Sequence, residues 1–492
     1  MTSERVDRTL SRLERTGRKE SAFRGATPTL VARLFVQLLQ LSGLVVLGRL
    51  LTPSDYGLAT IVLTLTAFAF VVNEAALSFY LVYQPQLRDL AVDTAVLLSF
   101  LIGVILTGTF LALAQPLSRL YGEPELAPLL YAVAPMYVFG QATVPMGLLL
   151  KAGRFGTVGL LEVAGALASL GTSVTAAVQG RGAQALVLGP VVGTLVVTIA
   201  AFSIVRWRPR ARSDAPAVKG LVRFAGPATG SELLTNLSSG IDRLALSVTG
   251  SLATLGYYSR ASSMANIPAA SLSFMVHRVA IRSFAAVRDD VATLSRQYHA
   301  LRAVLLISST AVAAILASAS SSLLQLALGP GWRPAAASMA VLSLSIPALV
   351  LRSLALALLQ AFGRTTLQFQ SSLLSAAVTV AGVSAMAAQG EPILVALAVA
   401  GASWLSLFWF TLSASRVLTE GWRRQLSSIS RAGLVAATCA VTTWIVGDAT
   451  TAAPATEVAI SVGVAASVSL LLAAALCRRS WKDLRARRDS AT

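Results

Sequence analysis

Apolar residues in this chain gather into blocks of about twenty, parted by short polar or basic stretches. That is the length an α-helix needs to cross about 30 Å of hydrocarbon at about 1.5 Å per residue. Twelve of the blocks lie near residues 28–48, 57–81, 91–114, 126–150, 157–178, 184–205, 222–248, 255–280, 300–327, 336–362, 366–388 and 392–415. Two more, near 432–447 and 457–477, bring the reading to about 14 transmembrane helices of an all-α polytopic membrane protein.

Composition agrees: 55% of the 492 residues are hydrophobic and 13% charged, with a mean hydropathy of +0.71. A water-soluble fold of this length cannot hide so much apolar surface. The first block runs past twenty residues, lacks a small-residue cleavage site and follows a basic segment, so it is expected to stay as a span. In that segment, residues 1–27, Arg5, Arg8, Arg12 and Arg15 recur every three to four positions with Val6, Leu10 and Leu13 between them. The pattern fits a short helix on anionic lipid and fits a solvated tail equally well.

A formal charge of +18 suggests nucleic acid in a soluble protein, but here the charge alternates loop by loop. The basic loops include Arg206, Arg208, Arg210, Arg212, Lys219 and Arg223, and the tail holds Arg478, Arg479, Lys482, Arg485, Arg487 and Arg488. The opposite loops hold only Arg49, Arg119, Arg181 and Arg333. This asymmetry predicts cytoplasmic N- and C-termini and makes the basic patches topogenic, with membrane lipids as partners and no nucleic acid. It divides the chain into a basic N-terminal segment (1–27), six helices (28–205), a basic linker (206–223), six helices (224–415), a cytoplasmic loop (416–431), two helices (432–477) and a basic tail (478–492).

Cys439 and Cys477 form neither a disulfide framework nor a CxxC motif, and His277 and His299 are too few for a zinc cluster. No Gly-rich phosphate loop follows a strand, so neither a metal, a cofactor nor a nucleotide-driven pump is expected.

The two halves repeat. The first span exits through Leu50-Leu51-Thr52-Pro53-Ser54-Asp55-Tyr56-Gly57 and the seventh through Gly250-Ser251-Leu252-Ala253-Thr254-Leu255-Gly256-Tyr257. Leu120-Tyr121-Gly122 matches Ala327-Leu328-Gly329, and Gly153-Arg154 matches Gly363-Arg364, in the same order. The linker then joins two six-helix lobes, as in transporters built from repeats.

The same residues carry a family resemblance. Leu47-Gly48-Arg49-Leu50-Leu51-Thr52-Pro53-Ser54-Asp55-Tyr56-Gly57 resembles the end of helix one in Wzx-type polysaccharide flippases of the MOP superfamily. Leu120 to Leu126 resembles the loop before helix four, Leu255 to Ser259 the entry to helix eight, and Gly331 to Ala336 the entry to helix ten. The resemblance spans about residues 25 to 420. It implies two pseudosymmetric six-helix lobes around a central cavity plus two C-terminal helices. It also implies alternating-access export of polyprenyl-diphosphate-linked oligosaccharide across a bacterial inner membrane, in a pathway shared with a polymerase and glycosyltransferases.

Ionisable residues at membrane depth cost about 2.5–3.5 kcal/mol each on insertion scales and normally face a cavity or a partner. Arg33, Arg243, Arg260, Arg278, Arg302 and Arg352 qualify, and guanidinium forks suit a diphosphate. Arg33, Gln37 and Gln40 share one helix face, as do Glu232, Asn236, Ser239 and Arg243. Arg33, Arg352, Arg260, Arg243, Gln37, Gln40 and Asn236 are therefore the candidates for cargo contact, while Arg278, Arg282 and Arg302 are expected to snorkel towards headgroups. Glu74, Asp242 and Glu232 are candidates for coupling to a proton or sodium gradient or for structural pairing.

Two other classes compete. A drug or cation antiporter of the same superfamily calls for embedded acids and aromatics rather than arginines. A membrane-embedded glycan polymerase calls for a sizeable extramembrane loop and clustered carboxylates, and neither is seen in the sequence.

Overall fold

The computed structural model describes residues 4–16, 22–83, 89–207, 210, 233–234, 236–288, 290–418 and 463. Every regular element among them is a helix. The chain divides into two compact units, Met1–Gly240 and Ile241–Thr492.

The first unit holds α1 (Glu4–Thr16), α2 (Ala22–Leu50), α3 (Pro53–Tyr83), α4 (Asp89–Tyr121), α5 (Leu126–Val133), α6 (Met136–Phe139), α7 (Thr143–Lys151), α8 (Phe155–Val178) and α9 (Gln184–Val205). The helix α10, residues 236–249, carries the boundary. The second unit continues with α11 (Leu252–Ala286), α12 (Val291–Ser318), α13 (Ser320–Leu328), a 3-10 turn (Pro330–Ala335), α14 (Ala336–Ser343), α15 (Ile346–Ala361), α16 (Thr365–Ala387) and α17 (Pro392–Leu418).

Nine described helices are long and apolar enough to span a bilayer, and the pair Leu126–Phe139 and Thr143–Lys151, bent by 41°, makes ten if counted as one span. The chain is an all-α multi-pass membrane protein. The predicted eighth span is the 35-residue α11, whose Arg260, Asn266, Arg278 and Arg282 make it too polar to qualify on composition. The thirteenth span and all but residue 463 of the fourteenth lie outside the described residues, as does the first part of the seventh.

Sequence signals account for the helix starts. Thr52 caps α3, its Oγ1 accepting from Asp55 N at 3.3 Å, while Asp55 Oδ2 accepts from Thr52 N at 2.9 Å. This is a reciprocal capping box with Pro53 at the first helical position, where its missing N–H costs nothing. The turn after α8 closes over it: a Cβ on Gly182, whose φ is +50°, would lie 2.6 Å from Asp55 Oδ1. Ser251 caps α11 and Asp290 caps α12 in the same manner.

The repeat is visible in the backbone. Gly153 and Gly363 end matching helices at φ +71° and +65°, and Gly180 and Gly390 turn matching hairpins at +73° and +71°. Both pairs are separated by the same 210 positions. The following residues, Arg154 and Arg364, also match, at φ −85°, ψ 55° and φ −81°, ψ 55°.

Spans four and ten, read as continuous in the sequence, are each interrupted after eight residues, at Val133 and Ser343. At each break a carbonyl takes a side-chain donor, because hydrocarbon offers no water to do so; Ala134 O also accepts from Tyr137 N at 3.3 Å. Thr107 Oγ1 of α4 donates to Ala134 O at 2.8 Å, and Trp404 Nε1 of α17 donates to Leu344 O at 3.1 Å. Ala134 and Leu344 are again 210 positions apart.

The first unit's α1 differs from expectation. Rather than lying on lipid or in solvent, it buries Val6 and Leu13 in a core with Val92, Leu148, Val158, Val205 and Trp207. Each such side chain contributes about 1.5–3 kcal/mol when fully buried, enough to hold a short helix to protein.

Candidate substrate-handling site

The candidate residues separate into groups. On α2, Arg33 and Gln40 are exposed and Gln37 is partly buried, among exposed Val31, Leu34, Phe35 and Leu38. Asn236 is partly buried on α10. Glu232 and the Glu74 side chain lie outside the described residues.

The second unit brings several together. Asp242 is buried; its Oδ2 accepts from the Tyr258 hydroxyl at 2.8 Å and its Oδ1 from the Arg243 backbone N–H at 2.9 Å. Arg243 reaches the other way, Nη2 meeting Ser262 Oγ at a long 3.4 Å, while its buried Nε has no acceptor among the described residues. Asn266 Nδ2 also donates to Ser262 Oγ, at 3.2 Å. Adjacency therefore does not pair Asp242 with the Arg243 guanidinium: the acid is satisfied by a phenol and an amide, and the cation is left with a hydroxyl.

Arg352 lies on α15 where that helix packs on α17. Its Nη1 donates to buried Ser406 Oγ at 3.4 Å and its Cζ stands 5.7 Å from the Phe410 ring centroid. Ala348, Leu351 and Leu407 form an apolar core beside it. No described carboxylate pairs with it. Such a cation, partly buried and held among the described residues by a weak hydroxyl contact and an aromatic face, retains most of its donor fork for an anion. Arg260 is partly buried on α11.

Of the arginines expected to snorkel, Arg278 and Arg282 are exposed, and Arg278 rests over the Phe274 ring at 4.8 Å. Arg302 is buried in the α12 face instead, at 5% exposure. Sequence reasoning also passed over Tyr258, Ser262 and Ser406, since hydroxyls on apolar helices give no positional signal, and Asp93, a buried carboxylate on α4. No group of His, Cys, Asp and Glu able to hold a metal occurs among the described residues.

Comparison with known proteins shows what this chain is similar to. The lipopolysaccharide biosynthesis protein WzxC of Escherichia coli is 23% identical over 321 residues, 64% of each chain. The succinoglycan biosynthesis transport protein ExoT of Rhizobium meliloti is 26% identical over 226 residues, 45% of each chain. The chain thus spans under two thirds of either relative. The structure of a lipid II flippase, MurJ, in an inward closed conformation superposes with a TM-score of 0.76 at 14% identity, covering 92% of this chain and 99% of that one. This shows that the fold is shared. A family model described as polysaccharide biosynthesis protein matches residues 46–337, more than half of the chain, and the chain belongs to that family.

Proposed function

We propose that the chain is a flippase that moves polyprenyl-diphosphate-linked oligosaccharide from the cytoplasmic to the outer leaflet of a bacterial inner membrane by alternating access, acting as a transporter rather than an enzyme. Family membership, the relatives' roles in polysaccharide biosynthesis and the fold shared with a lipid II flippase support this reading. The alternating loop charge supports cytoplasmic termini. The supporting pathway partners are a polymerase and glycosyltransferases.

The observation that carries the reading is Arg352, a guanidinium inside the membrane fold whose partners among the described residues are one hydroxyl and one ring. A diphosphate supplies the oxygens that fork lacks. Arg243, with Ser262 as its weak partner, supports the same chemistry in the same unit, and Arg33, Gln37, Gln40, Asn236 and Arg260 complete the proposed cargo contacts. Ion coupling is assigned to Asp242, Glu74 and Glu232. Asp242 is already engaged by Tyr258, so its use by a proton or sodium ion requires breaking that bond.

The test is complementation of a deletion strain, scored for surface glycan, for protein in the membrane and for lipid-linked repeat units held on the cytoplasmic leaflet. Arg33→Ala and Arg352→Ala are expected to abolish surface glycan at normal protein level, and Arg352→Lys to restore little, because an ammonium lacks the fork. Normal glycan from both alanine variants sinks the cargo site. Ethidium efflux with unchanged glycan in the deletion strain favours the antiporter instead, and glycosyl transfer by the purified protein alone favours the polymerase.

A further inference from the structure

The docked α1 is used by neither the fold's repeat nor the cargo reading. Its first turn is capped from another helix: Asp89, at the start of α4, accepts from Val6 N at 2.7 Å and from Arg5 N at 3.0 Å. One turn on, buried Asp93 accepts from Arg5 Nη1 at 3.1 Å through Oδ2, and from Trp207 Nε1 at 3.0 Å and Arg210 N at 3.2 Å through Oδ1. The Arg5 guanidinium lies over the Trp207 ring at 4.5 Å. Farther along, Arg12 Nη2 donates to Val205 O, the last carbonyl of α9.

One carboxylate therefore gathers three segments distant in sequence: the N-terminal helix, the start of α4 and the chain leaving α9 into the basic 206–223 stretch. The apolar face that a membrane anchor would present is spent on Val92, Leu148, Val158 and Trp207, and of the exposed charges Asp7, Arg8 and Arg12, one is an acid and Arg12 is turned onto the end of α9. Neither feature suits an anionic surface.

We propose that α1 is an intramolecular latch rather than a lipid anchor, locked by neutralisation of Asp93 by Arg5, and that Asp93 is the positioning residue that fixes where the basic linker leaves the first unit. Removing Arg5 leaves buried Asp93 without its counter-charge, with only the Trp207 Nε1 and Arg210 N donors among the described residues, so breaking that one pair loosens the latch, although Val6, Leu13 and the Asp89 cap still favour docking.

The experiment uses full-length protein with Cys439→Ser and Cys477→Ser, carrying Leu13→Cys, in permeabilised liposomes with and without anionic phospholipid. Labelling by a polar maleimide reports undocking and is independent of cargo. Labelling is expected to be slow in the parent at either lipid composition, at least tenfold faster with Arg5→Ala or Asp93→Asn, and near the parent rate with Arg5→Lys. Surface glycan should fall with the two fast variants. If Asp93→Asn fails to accumulate, the comparison of Arg5→Ala with Arg5→Lys decides. A labelling rate unmoved by Arg5→Ala, or one set by the anionic lipid fraction, overturns the proposal.

Discussion

The α8–α9 hairpin of the first unit allows a stability prediction from distances alone. Gly165, Ser169 and Ser173 on α8 face Gly189, Gly193 and Val197 on α9, at spacings of one turn. A Cβ on Gly193 would lie 2.7 Å from Gly165 O and 2.9 Å from Ser169 Cβ, whereas ordinary contact begins at 3.4 Å. The obstruction at 2.7 Å is backbone, so the helices must part by about 0.7 Å, and gaps of about 0.5–1 Å forfeit a quarter to a half of each dispersion well along the seam. Overpacking costs about 1–3 kcal/mol, against a helix-propensity gain of about 0.8–1 kcal/mol for replacing glycine.

Gly171, on the same α8, would place its Cβ with nothing within 4 Å. Gly171→Ala carries the propensity gain without the clash, so the two variants should differ by about 1–3 kcal/mol. A second contrast separates backbone from side-chain obstruction. A Cβ on Gly165 meets Val197 Cγ2 at 2.4 Å but Gly193 O only at 3.2 Å, so Val197→Ala should rescue Gly165→Ala and leave Gly193→Ala unrescued. The assay is the midpoint of heat-induced aggregation of detergent-purified full-length protein. Equal midpoints for Gly193→Ala and Gly171→Ala, or rescue of Gly193→Ala by Val197→Ala, would refute the reasoning.

Trp404→Phe should lower the same midpoint by about 1–3 kcal/mol equivalent, since it leaves the Leu344 carbonyl without its donor, and Thr107→Val should lower it by less, since Ala134 O keeps the Tyr137 amide; Thr107→Ser should not, and equal midpoints for Ser and Val would show that the cap is idle. Asp290, capping α12 outside the membrane, has its carboxyl held below the usual range, chiefly by the Thr293 hydroxyl and then by the Thr293 amide. Its contribution is therefore present above the ordinary carboxylate range and is lost as pH falls through its lowered value; Asp290→Asn should keep the cap and remove that share of acid sensitivity in a thermal scan. A phosphatase fusion active only in the periplasm should be silent at residue 215 and at the C-terminus and active near Gly331, and activity at residue 215 would reverse the orientation.

Most of the described spans were legible because twenty-residue apolar blocks have one physical use, and Thr52-Pro53-Ser54-Asp55 was legible as the turn that ends the first span. The breaks at Val133 and Ser343 were not. Pro135 and Pro347 flank them, yet Pro116, Pro190 and Pro268 sit inside unbroken helices, so proline alone does not mark a break; a side-chain donor placed on the carbonyl at the break does, and Thr107 stands 27 positions from Ala134. Asp93 was illegible for the same reason. Two acids four apart before an apolar run, Asp89 and Asp93, read as ordinary helix-start charge, and the partner that gives Asp93 its meaning is 88 residues away. The adjacency of Asp242 and Arg243 does not foretell their partners either, since neighbours on a helix point about 100° apart and each side chain found its partner on α11.

What the two halves share is backbone and what they do not share is chemistry. The left-handed glycines and the carbonyls that take a side-chain donor at the breaks recur at the same offset of 210, from Gly153 to Gly363 and from Ala134 to Leu344. The donors that cap those carbonyls do not recur: one is a threonine of the third predicted span, the other a tryptophan of the twelfth. At the same offset, the position matching Arg352 is Ala142. A break in a spanning helix is constrained by geometry, because any chain that keeps it must satisfy the same carbonyl in hydrocarbon, whereas the side chain that does so, and any charge nearby, can change separately in each half. The repeat therefore identifies where the scaffold is fixed, and the residues that depart from it, with Arg352 foremost, are where cargo chemistry is to be sought.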